Sequence, residues 1–184
     1  VLSGSEKGQT KMLPAANNIS SRSGALINQL DLQKHFEGDY LVLNKMELEI
    51  GKQNYTMDAA HFFYLSYQHE GEKIRKKLDF TEDNKLILDK SEIFKIDGEA
   101  IAVDKKEMTL YYRAGDASTK ISVFTPVFPN LAELKDEVQI IMEEFSDKTN
   151  EVKIQEITAY LGEFYGKPQK ENLSLWLKQE FGLE

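Results

Sequence analysis

The sequence predicts an α+β fold: an antiparallel β-barrel or sandwich of about seven or eight short strands, followed by a three-helix C-terminal segment. Two observations predict it. Up to Pro126 and Pro129 apolar residues tend to alternate with polar ones, whereas beyond them they recur every three or four positions. In the first part, turn signals at His69-Glu70-Gly71-Glu72, Glu82-Asp83-Asn84-Lys85, Asp97-Gly98 and Ala114-Gly115-Asp116 cut the chain into runs of strand length.

Three zones follow in order. In residues 1–30, Ser, Gly, Asn and Ala dominate from Ser3 to Ala25, with Lys7, Lys11 and Arg22 set against Glu6. So little apolar surface does not offset the entropy of ordering, which predicts a flexible N-terminal arm available to a neighbouring chain. Residues 31–129 read as a β-rich domain. Met46, Leu48 and Ile50 alternate with Lys45, Glu47 and Glu49, and Ile74, Lys76, Leu78 and Phe80 alternate with Arg75, Lys77 and Asp79, each run having one buried and one wet face. His61-Phe62-Phe63-Tyr64-Leu65-Ser66-Tyr67 is apolar on both faces and reads as a central strand, although 57–65 is equally compatible with a helical turn. Asp97-Gly98, between 93–96 and 100–103, predicts a tight hairpin. Further strands are expected at 85–88, 108–113 and 120–125.

Residues 130–184 read as helical. Asn130 followed by Glu133 resembles a capping box, and Leu131, Leu134, Val138, Ile141 and Phe145 form one narrow seam. A second helix carries Ile154, Ile157, Leu161 and Phe164 on one side, with Gly166 placed to cap it. The third starts at Pro168 and runs through Leu173, Trp176 and Leu177 to Phe181, before Gly182.

Composition narrows the chemistry. With 184 residues and 41% hydrophobic content the chain is long enough to bury a real core. Lys and Arg number 23 against 31 Asp and Glu, a formal charge of -8 that disfavours a broad nucleic-acid or anionic-membrane footprint but leaves room for a local basic patch. The absence of Cys excludes disulfides, thiolate metal sites and Cys nucleophiles. No apolar run approaches the roughly 18 residues of a membrane span, so a soluble chain is expected, cytoplasmic rather than exported. The opening Val1-Leu2-Ser3-Gly4, without initiator Met or signal-peptide core, is that expected of a processed or trimmed product.

No residue cluster amounts to a catalytic signature. Gly4-Ser5-Glu6-Lys7-Gly8-Gln9-Thr10 has the wrong spacing and Lys position for a phosphate loop, and reads as part of the arm. The run from Asp79 to Lys90 imitates a calcium loop, but Asn84 stands where the sharp turn needs Gly and Lys90 where a bidentate Glu is needed. His69-Glu70-Gly71-Glu72-Lys73 has no second His in zinc-motif register, so the turn reading prevails. His35, His61 and His69 are the only histidines, and His61 beside Phe62 and Phe63 reads as a partly buried, satisfied side chain. Asn18, Asn54 and Asn172 each begin an Asn-X-Ser/Thr triplet, a pattern frequent enough by chance to say little. No cofactor and no metal ligand set is implied.

Binding is the expectation that remains. The seam is an apolar stripe that packs on the sheet or accepts a partner helix, which makes Leu131, Leu134, Val138, Ile141 and Phe145, with Trp176, the candidate partner-binding residues of a non-enzymatic protein-binding or assembly protein. The alternative is a nucleic-acid-associated protein. Ile154–Gly162 followed by Leu175-Trp176-Leu177-Lys178 and Phe181-Gly182-Leu183 resembles a helix-turn-helix phrase, with Lys167, Lys170 and Lys178 as its cations. The connection is longer than such a turn uses, and residues 130–184 carry six Lys against twelve Asp and Glu. The same alternative is served by Tyr64, Tyr67, Tyr111 and Tyr112, which form a stacking face if neighbouring strands unite them, framed by Lys76, Lys77, Lys105, Lys106 and Arg113. Otherwise they are ordinary half-buried strand tyrosines. A carboxylate-based hydrolase is a third reading.

Overall fold

A computed structural model describes residues 29–184, so residues 1–28 of the expected arm, with the Gly4–Thr10 loop, lie outside the described residues, while residues 29–30 open a helix. The elements are α1 (Gln29–His35), β1 (Gly38–Leu41), β2 (Met46–Glu49), β3 (His61–His69), β4 (Glu72–Lys77), β5 (Lys85–Leu88), α2 (Lys90–Ile93), β6 (Lys95–Ile96), β7 (Glu99–Ala100), β8 (Met108–Ala114), β9 (Ala117–Val127), α3 (Leu131–Glu144), α4 (Asn150–Phe164), β10 (Lys167–Pro168) and α5 (Lys170–Phe181). The class is α+β. The sheet does not close into a barrel, however: six strands lie in the order β10-β1-β9-β8-β3-β4, with separate two-stranded ladders β2-β5 and β6-β7. Nor is it wholly antiparallel, because β1 runs parallel to both β9 and β10.

Local chemistry explains the antiparallel half. The β3–β4 and β6–β7 hairpins turn on Glu70-Gly71 (φ 50° and 85°) and Asp97-Gly98 (φ 52° and 85°), two left-handed residues in succession, the backbone that matches strand twist; Asp-Gly is a favoured pair for it, while at Glu70-Gly71 only the glycine adopts it without cost. Asn84, in the calcium-like run, is itself left-handed and buried; its amide donates to the Ile50 carbonyl at 2.5 Å and to that of Tyr55 at 3.4 Å. Residues 90–93, expected to lead into a strand, instead form the single turn of α2, because Asp89 caps it by accepting from the Ser91 N–H at 3.0 Å.

Alternation along β1 divides the interior. Tyr40 and Val42 join a core with Phe36, Phe63, Leu65, Leu110 and Phe124, roofed by Met46, Leu48, Leu86 and Leu88 of the β2-β5 ladder. Leu41 and Leu43 point the other way, into a second core with Val127 and the helices. There Leu134 and Val138 of α3, Ile157 and Leu161 of α4, and Leu173, Trp176 and Leu177 of α5 meet. Asn130 caps α3 through the N–H groups of Ala132 and Glu133, and Gly182 (φ 66°) ends α5.

The last helix begins later than its sequence suggested. Pro168 belongs to β10, which returns to the sheet beside β1, and α5 starts at Lys170 under a Gln169 cap. Gly166 makes this return possible: at φ 141° it passes so close to Asp39 that a Cβ would lie 2.7 Å from that carbonyl oxygen. No described helix is long and apolar enough to cross a membrane.

Candidate binding face

The helices and β1 share one face of the sheet, and the rest of that face, over β9, β8, β3 and β4, is not built into either core. Register assigns its residues. On β3, Phe63, Leu65 and Tyr67 point into the first core, so Phe62, Tyr64, Ser66 and Gln68 point to the opposite face. Their cross-strand partners are Lys77, Arg75 and Lys73 on β4, facing Tyr64, Ser66 and Gln68, and Arg113, Tyr111 and Thr109 on β8, facing Phe62, Tyr64 and Ser66. On β9, Ser118 lies opposite Arg113, Lys120 opposite Tyr111 and Val123 opposite Thr109, the irregularity between Leu110 and Tyr111 absorbing one residue.

One row across four strands therefore reads Lys77, Tyr64, Tyr111, Lys120. The two tyrosine rings at its centre are stacked, 5.0 Å apart and 11° from parallel. Phe62 lies 6.5 Å from Tyr64, and the Lys77 ammonium sits 4.5 Å over its ring. Five cations, Lys73, Arg75, Lys77, Arg113 and Lys120, are exposed on this face, no strand position on it is a carboxylate, and none of the five is in an ion pair with a described residue. Elsewhere six described lysines are in ion pairs, as in Lys90–Asp104 and Lys105–Asp39, both at 2.7 Å, while others, Lys45, Lys85 and Lys153 among them, are not. Val123, 40% exposed, adds an apolar spot.

Of the residues expected to form a stacking face, Tyr64 and Tyr111 come together, while Tyr67 and Tyr112 do not join them. Tyr112 turns to the first core against Tyr55 and Phe63 and donates to the Thr56 carbonyl at 2.8 Å, and Tyr67 donates to that of Ile93 at 2.8 Å. The frame is also different. Lys77 and Arg113 belong to it, Lys76 points to the other side of β4, and Lys105 is bound to Asp39. Lys73, Arg75 and Lys120 are the cations that sequence reasoning missed; the alternation along β4 carried the signal for the first two.

The other candidates are placed as follows. Leu134 and Val138 of the seam are fully buried and Trp176 is 4% exposed, all in the second core; Leu131 and Ile141 pack against it, and Phe145 falls past the end of α3. Lys167 lies on β10, Lys170 opens α5, and Lys178, two turns further along, is tied to Glu184 at 3.4 Å. The link between α4 and α5 is a strand of the sheet, which a helix-turn-helix does not contain. Asn172 is buried in the fold, its side chain bonded to the Leu43 backbone.

Polar groups elsewhere are used structurally. The Asp58 carboxylate accepts from the Ala60 N–H and lies 2.8 Å from His61 Nδ1, and the bond from His61 holds its carboxyl below the usual range. Glu137 on α3 accepts from Tyr160 at 2.9 Å and Tyr165 at 2.7 Å, and burial, then this carboxylate, raises both phenols. A cleft of about 470 Å³ between Val42, Phe94, Phe128 and Leu131 has a polar rim of Asp89 and Lys90, which already bind Ser91 and Asp104. Among the described residues, no three His, Asp or Glu side chains are grouped to hold a metal ion.

No family model and no curated protein matches the chain.

Proposed function

We propose that this chain is a non-enzymatic binding protein whose working surface is the open half of the sheet, and that it takes a partner carrying negative charge. One observation carries the reading: among the described residues, five cations outside any ion pair and three aromatic rings share a face without a strand carboxylate, in a chain of net charge -8. Unrelieved like charges repel one another in the free protein, so such a cluster is not a stabilising device; an anion relieves it. Screening decides between local and global charge. Beyond a Debye length of about 8 Å charges are largely screened, so a ligand in contact with the face meets its cations rather than the acidic helices. Docking through the α3 seam is supported less well, because its central residues pack inside the chain.

The test is chromatography of the full chain on heparin at neutral pH. Retention at low salt is expected despite a sequence pI of about 5.1, and Arg75→Glu/Lys77→Glu/Lys120→Glu should pass unretained. Flow-through of the wild type under the same conditions would refute the reading.

A further inference from the structure

We propose that the anionic partner of this face is single-stranded nucleic acid, with bases against the Tyr64–Tyr111 pair and phosphates on Lys77 and Lys120. The inference rests on the binding reading above and adds the chemical class of the ligand. The arrangement across the strands is what selects it. Cations alone would suit any polyanion, but here they stand at the two ends of a row whose centre is aromatic. A nucleotide chain repeats that alternation, since each unit carries one planar base and one phosphate, and every base has a π-face that stacks irrespective of its sequence.

Dimensions agree. From β4 to β9 there are three strand spacings of about 4.8 Å, roughly 14 Å in all, so the row accommodates a short stretch of chain laid across the strands. Tyr64 and Tyr111 are already near-parallel at 5.0 Å, and a base adds to such a pair as a further layer. Phe62, next along β3 and covered by Lys77, extends the aromatic track toward Arg113.

Competing occupants fit less of this. An acidic peptide satisfies the cations but leaves the aromatic centre without a partner. A duplex keeps its bases stacked inside, and its grooves are read by a helix or a ribbon rather than a broad sheet face. The first 28 residues of this chain bring Lys7, Lys11 and Arg22 against Glu6, the same sign as the face.

The experiment is a fluorescence-anisotropy titration of the full chain with labelled oligothymidylate of about a dozen nucleotides, repeated with an abasic deoxyribose-phosphate chain of the same length and with an oligoglutamate peptide. Oligothymidylate should bind at least about ten-fold more tightly than either control. Tyr64→Leu or Tyr111→Leu should weaken it about ten-fold with the salt slope unchanged, and Tyr64→Phe should restore binding. Lys77→Gln and Lys120→Gln should each flatten the slope of log K against log salt by about 0.7. Because the leucine variants keep apolar bulk, matching circular dichroism and thermal midpoints will show that they fold. Equal binding of the abasic chain makes the face a generic polyanion site, and equal binding of oligoglutamate makes it an acidic-protein site. Either result overturns this inference while heparin retention still supports the binding reading; failure of all three ligands together with heparin flow-through removes both.

Discussion

His35 shows what burial does to a titratable group outside the binding face. Desolvation first, then the nearby Lys167 ammonium, push its pKa down to about 4, with Glu171 opposing them. Its Nε2 lies 2.5 Å from the Tyr40 hydroxyl, which is buried, held above its usual pKa, and also reaches Met46 Sδ at 3.7 Å. A neutral phenol and a neutral imidazole therefore share this contact. The folded state binds fewer protons here than the unfolded one between the folded value of about 4 and the ordinary histidine value of 6.5. Stability accordingly rises with pH across that window, is complete above it, and is lost as pH falls through it; the difference amounts to at most about 3 kcal/mol. Urea unfolding at several pH values should show this slope in the wild type and a flatter one in His35→Gln, the carboxylates being common to both. Parallel slopes would mean that His35 is hydrated and titrates normally.

The element that ties the helices to the sheet is the β10–α5 junction, and Asn172 is its clasp. Its Oδ1 accepts from the Leu43 N–H and its Nδ2 donates to the Leu43 carbonyl, both at 2.9 Å. In this way one side chain extends the pairing of β1 past the point where a backbone partner ends. Asn172→Asp keeps the acceptor but sets a buried carboxylate against a carbonyl oxygen, and should cost about 3 kcal/mol at neutral pH. Its carboxyl is then raised in the fold, so the loss should shrink as pH falls, the reverse of the His35 trend; a cost independent of pH would count against this geometry. None of the clasp was legible in the sequence, since Asn172 and Leu43 are 129 residues apart. What was legible was local: the turns at Gly71 and Gly115, the hairpin at Gly98, the Asn130 cap, the alternation in β2 and β4 and the strand at β8. Strand β1 escaped because Tyr40-Leu41-Val42-Leu43 is buried on both faces and has no period to read, and its parallel partners lie far along the chain. The Tyr64–Tyr111 contact was foreseeable as a conjunction of two strands, with Lys77 and Arg113 beside it, but Lys120 required the register between β8 and β9.

At the scale of the whole molecule, the sheet is a wall between two interiors, and β1 belongs to both. Tyr40 and Val42 fill one core and Leu41 and Leu43 the other, so neither can melt without releasing the strand that the other needs. That argues for one cooperative unit over the described residues, even though the periodicity of the sequence changes near Pro129. Charge is divided along one side of that wall: the cationic face and the acidic helices occupy different parts of it, and among the described residues no strand position of the open face, on β9, β8, β3 or β4, is a carboxylate. Trp176, the only tryptophan, lies in the helical core and reports on it alone, while far-UV circular dichroism includes the sheet. Equilibrium unfolding followed by both signals should therefore give coincident transitions with one midpoint. Leu41→Ala opens a cavity on the helical side only, and should cost about 2 to 5 kcal/mol, yet it should shift both signals equally because the strand is shared. If the tryptophan signal instead moves to lower denaturant while the sheet signal stays, the helices form an independent layer, and the open face they border would survive their loss.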